Sequence, residues 1–400
     1  MHALAAALLA LGPHAAEALA HAHHPQAPWI SAPMPASRPA ATAQLPKRVY
    51  GYLPYWEDID LASFRWDLVS DVIAFSADIA TDGTVSNPHG LPGAALPGAA
   101  HAHGARVHLC ATLFNTAGGS EIATFLASAT ARSTAVQQLV ALAPDGVNLD
   151  FEFVPSGSRD AFTGFVQQLR AALPPPLELT LAMPATNSYS GYDFAALAAT
   201  TDRLLLMEYD FHWRTGPSAG AVAPLPDVQR AVDGYLGRVS ASSLAMGVPY
   251  YGYEWPTSST SSGAATTGAG TSVLFESGFA RLSAWGRIWD AGSQTPWYAV
   301  ASGPRQGWVE DGESLALKFQ LARSRDLAGV MIWALGYDGA RTEAWTALQS
   351  SFLSGSADQP PPTVSAQGCS QAGGAPAWAL LAALLVLRPR RTRTLPRGAC

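Results

Sequence analysis

The sequence predicts an α/β fold, a (β/α)8 TIM barrel with a small α+β insertion between its seventh and eighth strands. Three observations carry this: eight apolar, β-rich runs lie between residues 48 and 353, helix-period stretches separate them, and one connection is far longer than the rest. With 48% apolar and 14% charged residues, the 400-residue chain holds enough apolar material for one large core.

The runs, in order, are "RVYGYLPYW" (48–56), "LVSDVIAFSA" (68–77), "ARVHLCATLF" (105–114), "GVNLDFEF" (146–153), "LELTLAMP" (177–184), "RLLLMEYD" (203–210), "LAMGVPYYGY" (244–253) and "AGVMIWALGYD" (328–338). Between them, 135–143, 158–173 and 313–325 repeat apolar residues at three- and four-residue spacing, as helices packed outside a barrel do. A doubly wound open sheet shows the same alternation, and eight strands alone do not prove closure. No G-x-G-x-x-G follows the first run, which weakens a nucleotide-binding version of that sheet. The seventh and eighth runs stand 75 residues apart. That interval contains a polar loop, "PTSSTSSGAATTGAGTS", and the short aromatic strands "GRIWDAGSQTPWYAV" and "RQGWVEDG". The insertion is placed at about 254–327, with Trp289, Trp297, Tyr298 or Trp308 expected to wall a groove at the barrel mouth.

The ends read as addresses. Residues 1–20 combine an apolar segment with Ala18-Leu19-Ala20, the pattern of a signal peptide, and 21–47 form a Pro/Ala-rich lead-in. After a linker at 354–368, the segment 369–400 places Gly368-Cys369-Ser370 before an apolar run and an Arg cluster. This tail resembles bacterial sorting tails of the MYXO-CTERM kind, which implies processing near Cys369 and surface attachment. A plain C-terminal membrane anchor is the alternative. Either way the body, 48–353, is expected outside the cytoplasm, as a monomer that meets membrane only through its tail. Removing 1–20 and 370–400 takes away one Glu and five Arg and moves the net charge from −6 to −10.

That charge, with no basic stripe in the body, argues against nucleic acid as a partner and for a neutral or weakly charged ligand. Cys110, Cys369 and Cys400 are too few and too badly spaced for a disulfide framework or a zinc site, and Cys110 reads as a small buried hydrophobe. The histidines at 21, 23, 24, 101 and 103 fall in Ala/Pro/Gly-rich segments with no carboxylate at helical or hairpin spacing, so no metal is expected, and no cofactor.

The fourth run carries the chemistry. In "DGVNLDFEF", strand alternation points Val147, Leu149, Phe151 and Phe153 one way and Asn148, Asp150 and Glu152 the other. If the apolar set meets the helices, the carboxyls face the barrel interior near its C-terminal end, where barrel enzymes keep their catalytic groups. Two buried carboxyls raise one another's proton affinity, the condition a general acid needs. A buried structural pair or a metal-binding cluster would use the same residues.

Asp145-x-x-Asn148-x-Asp150-x-Glu152 resembles the D-x-x-D-x-D-x-E signature of family 18 glycoside hydrolases, with Asn148 in place of the second Asp. "LLMEYDF", "GVPYYGY" and "GVMIWALGYD" resemble the family's sixth, seventh and eighth strands in order. "DGVNLDFE" looks most like the branch with bacterial spore-cortex and cell-wall glucosaminidases. The resemblance implies a retaining, substrate-assisted hydrolysis of a glycan containing N-acetylglucosamine, chitin or peptidoglycan in type. Glu152 would be the acid and base, Asp150 would orient and stabilise the substrate's acetamide, and Tyr209 would hydrogen-bond its carbonyl oxygen. Asp145, Asn148, Asp210, Trp333, Tyr52, Tyr250 and Met207 would bind substrate, with Trp333 under the sugar. A non-catalytic glycan-binding barrel is the rival class. Such relatives typically lose the acid, which this chain keeps at Glu152.

Overall fold

Eight of the apolar runs become parallel strands that close into a barrel. The computed structural model describes residues 45–353, apart from 88, 94, 116–118 and 187. The segments 1–20, 354–368 and 369–400, and all but the last residues of 21–47, lie outside the described residues. In chain order the strands are β1 (Arg48–Pro54), β2 (Asp71–Ile79), β3 (Val85–Ser86), β4 (Arg106–Thr112), β5 (Gly146–Asp150), β6 (Glu178–Pro184), β7 (Arg203–Met207), β8 (Leu244–Pro249), β9 (Tyr251–Pro256), β10 (Thr271–Leu274), β11 (Ile288–Asp290), β12 (Thr295–Val300), β13 (Arg305–Trp308) and β14 (Gly329–Trp333). The barrel order is β1-β14-β8-β7-β6-β5-β4-β2, and β1 pairs in parallel with β2 from Tyr50↔Asp71 to Pro54↔Phe75. That last pairing closes the sheet and excludes the open doubly wound alternative.

Packing outside β5 shows why its sequence reads as it does. Phe151, just past the strand, meets Phe125, Phe162 and Phe165 with ring centroids 5.5–5.9 Å apart, on the helices Glu121–Ala127 and Arg159–Ala172. Each such buried ring contributes on the order of 2 kcal/mol. Gly146 admits no side chain: a Cβ there would lie 2.4 Å from the Glu178 carbonyl oxygen and 2.6 Å from His108 Nδ1.

The insertion is a five-stranded antiparallel sheet, β10-β9-β13-β12-β11, with the helix Phe275–Trp285. It begins at Tyr251, because parallel pairing of β8 with β14 stops at Pro249↔Trp333. The helix Gly312–Ser324, inside the expected 254–327, packs on β8 and β14 as an outer barrel helix. Trp297, Tyr298 and Trp308 do not form the expected groove wall. Trp297 and Trp308 stack on one another at 5.1 Å and are only 7% and 3% exposed. Tyr298 is fully buried with Val273, Leu282, Val300 and Val309 in a small core of the insertion itself. Trp289 lies under the Arg287 guanidinium, 4.9 Å from it.

Candidate active site

Side chains pointing into a closed eight-stranded barrel stack in layers, and here each layer has its own chemistry. At the N-terminal end, Arg48 donates to both Asp71 and Glu178, while His108 Nε2 lies 3.0 Å from Asp71. Burial alone would raise the Asp71 carboxyl, but Arg48 and His108 hold it well below the usual range. Asp71, His108 and Glu178 present ligand atoms within 4.8 Å of one another. Arg48 and Arg106 already pair with those carboxylates, so the cluster is a salt-bridge network that needs no further cation.

The middle layer centres on Asn148. Tyr52 donates to Asn148 Oδ1 at 2.8 Å, and Asn148 Nδ2 donates to Thr180 Oγ1 at 2.9 Å. Cys110 Sγ donates to the same Oδ1 at 3.3 Å, so this cysteine is a hydrogen-bonding member of the barrel interior and not merely a small hydrophobe. Burial pushes its thiol well up, with Asp150, Asp78 and Glu152 adding to the effect, which keeps the proton it donates. An amide at 148 thus serves as acceptor and donor at once without placing a charge among these groups.

Above it lies the carboxyl layer. Asp150 ends β5 fully buried, and Glu152, two residues on, is 4% exposed. The predicted alternation stops there: Phe153 has φ 56° and is 39% exposed, so it leaves the helix-facing side and meets Tyr189 at 5.6 Å on the rim. Tyr209, two residues past β7, is buried beside Met207, and its hydroxyl donates to Met331 Sδ at 3.8 Å. Burial raises this phenol well above its ordinary value, and Asp150 and Glu152 add to the shift, which places both carboxyls near it. Trp333 ends β14 with its ring 5.4 Å from Tyr52 and 5.0 Å from Phe75. Asp210 takes a left-handed backbone, φ 57°, that turns its carboxylate toward β9, where it accepts from Tyr251 at 2.6 Å and Tyr253 at 3.4 Å.

The structure therefore gathers Glu152, Asp150, Tyr209, Met207, Asp210 and Trp333 toward the mouth of the barrel, with Asn148 and Tyr52 in the layer beneath. Two expected binding residues are elsewhere. Asp145 precedes β5, about 17 Å of extended chain below Asp150, and there accepts from Val107 N and pairs with His101 Nε2 at 2.7 Å. It joins β5 to the helix Ala95–Ala102, so His101 is on a helix with a carboxylate partner and not in a loop without one. Tyr250 points outward against Phe275 and Trp345, because the backbone passes from β8 to β9 at this position. Its neighbour Tyr251 faces the site instead. Sequence reading also missed Thr112 and Asp78, which share the rim. The period-2 pattern of "HLCAT" would have put Thr112 on the same face as Cys110, whereas the irregularity in β2 between Ala74 and Ala77 hides the face of Asp78.

A buried carboxyl pair beside a buried phenol can deliver a proton and stabilise a positive charge. Residues 48–338 match the model of glycosyl hydrolases family 18. The chain belongs to that family. Among curated relatives, this family 18 chain is 30% identical over 254 residues to the putative sporulation-specific glycosylase YdhD of Bacillus subtilis (strain 168), covering 58% of each chain. It is 26% identical over 220 residues to the cortical fragment-lytic enzyme of the same organism, covering 52% of this chain and 49% of that one. The chain thus spans about half the length of these relatives. The crystal structure of a chitinase from Chromobacterium violaceum ATCC 12472 superposes with a TM-score of 0.63 at 25% identity, over 76% of this chain and 98% of that one.

Proposed function

We propose that this family 18 chain hydrolyses β-1,4 bonds at N-acetylglucosamine residues of chitin- or peptidoglycan-type glycans, with retention and with help from the substrate's own 2-acetamido group. The observation that carries the reading is the upper layer: Glu152 at the mouth, Asp150 buried beneath it, Tyr209 facing both and Trp333 at the end of β14. Glu152 gives its proton to the glycosidic oxygen as that bond breaks, and the acetamide oxygen closes on the anomeric carbon. The positive oxazolinium that forms is balanced by Asp150, whose burial makes its charge count for more than it would in water. Tyr209, protonated at any working pH, donates to the acetamide oxygen. Glu152 then takes a proton from the water that reopens the ring. Asp210, held by Tyr251 and Tyr253, shapes the same subsite. Neutralising the acid by Glu152→Gln tests the reading by product analysis on chitin oligomers, peptidoglycan and N-glycan cores.

The ends of the chain support a further part of the reading, export and attachment at the cell surface through 369–400. Cell fractionation of the full chain against one ending at 368 tests it. Equal release of both into the medium would remove the anchoring role.

A further inference from the structure

We infer that Asp78, Tyr55 and His89 form a sugar-binding station on the β1–β2 side of the mouth, built for the hydroxyl and amide N–H donors of a neutral glycan unit beyond the one being cleaved. The inference deepens the proposed glycan hydrolysis and rests on it. Asp78 is in register with Thr112, and Thr112 with Asp150. Thr112 Oγ1 donates to Asp78 Oδ1 at 2.9 Å, which holds Asp78 on the inward-facing layer that contains Asp150. Two strand spacings separate the backbones of the two aspartates, about 10 Å, so Asp78 stands too far off to serve the same ring and near enough to serve one further along. Asp150 is buried, whereas Asp78 is exposed at the rim. Among the described residues, the only hydrogen bond to the Asp78 carboxylate comes from Thr112, and it uses Oδ1.

The rings beside it complete the station. Tyr55 follows β1 and is tied to β2 by its N–H, which donates to the Phe75 carbonyl at 2.8 Å. The His89 imidazole lies flat on the Tyr55 ring, centroids 3.5 Å apart and planes 7° from parallel. Burial raises the Tyr55 phenol and Asp78 adds to that, while burial lowers His89 against the pull of Asp78. Both rings therefore stay neutral near pH 7, and both sit close to the carboxylate. A flat ring pair offers a surface for the C–H face of a sugar, and a carboxylate accepts from the O–H and N–H groups on its edge. A carboxylate donates nothing, so it selects donors and repels an acidic substituent.

The test compares full-length protein with Asp78→Ala, Asp78→Asn and Tyr55→Ala on N-acetylglucosamine oligomers of two to six units. Losing a hydrogen bond to a charged group corresponds to roughly ten-fold or more. For Asp78→Ala we expect kcat/KM to fall about ten-fold further on the hexamer than on the dimer, mainly through KM. Asp78→Asn, which keeps the shape and one acceptor, should fall between that variant and wild type. Combining Asp78→Ala with Tyr55→Ala should cost less than the product of the single losses, since both would serve one sugar. A loss equal at all lengths, or no loss at any, would overturn the station. Circular dichroism of Asp78→Asn separates misfolding from lost binding. Glu152→Gln, run alongside, separates the two readings: wild-type turnover in that variant removes the hydrolase itself. An inactive Glu152→Gln with length-independent Asp78 variants removes only the station.

Discussion

At the scale of single residues, adjacent tyrosines distinguish a site side chain from a packing one. Tyr251 donates to Asp210, whereas the Tyr250 hydroxyl is buried without a hydrogen-bond partner among the described residues. Tyr251→Phe should lower kcat/KM by roughly ten-fold or more, the usual scale for a hydrogen bond to a carboxylate. Tyr250→Phe should change neither rate nor stability measurably, and steady-state kinetics on the pair decides it. Glu208 offers a second residue-scale test. It is fully buried beside Tyr209 in sequence, and neither carboxyl oxygen has a hydrogen-bond partner among the described residues. Burial raises its proton affinity well above that of an ordinary Glu. A folded state that holds a proton more tightly than the unfolded chain is favoured at low pH, and that advantage drains away as pH climbs through and above the ordinary Glu range. Glu208→Gln, which cannot ionise, should therefore gain Tm relative to wild type between pH 4.5 and pH 9. A Tm difference that stays constant across that range would contradict the assignment.

At the scale of elements, the insertion is a small sheet with its own interior. The Trp297–Trp308 stack and the core around Tyr298 hold it together, which is why these aromatics are covered and do not line a groove. Trp308→Ala should destabilise the chain by about 3–5 kcal/mol, the range for emptying a large buried ring, and the accompanying activity loss should be the same for short and long oligomers. Gly307→Ala should be harmful as well, because a Cβ there would lie 2.0 Å from the Tyr298 ring. Calorimetry with an oligomer series checks both, and a loss confined to long oligomers would restore the groove wall. The strands of the barrel were legible because each is a run of buried apolar residues between turns, and β5 was legible down to the face of Asp150. The start of the insertion was not: nothing local in "GVPYYGY" tells which tyrosine faces the mouth, since a single change of strand at Pro249 shifts every later side chain by one.

At the scale of the whole molecule, the barrel interior runs from a salt-bridged base, through a neutral layer centred on Asn148, to a carboxyl-rich mouth. The motif located that mouth, since Asn148, Asp150 and Glu152 share one face of one strand. It could not tell that Asp145 serves the other end, because its partner His101 lies 44 residues earlier on a different element. Asp78 was equally hidden, its meaning arising only from pairing with Thr112 across two strands. The proposed role of Glu152 as proton donor of a glycan hydrolase is tested by turnover and binding of N-acetylglucosamine oligomers by Glu152→Gln. Turnover should fall by several orders of magnitude while oligomer affinity stays close to wild type. Undiminished hydrolysis by Glu152→Gln would contradict it, as would a wild-type protein that binds these oligomers and never cleaves them.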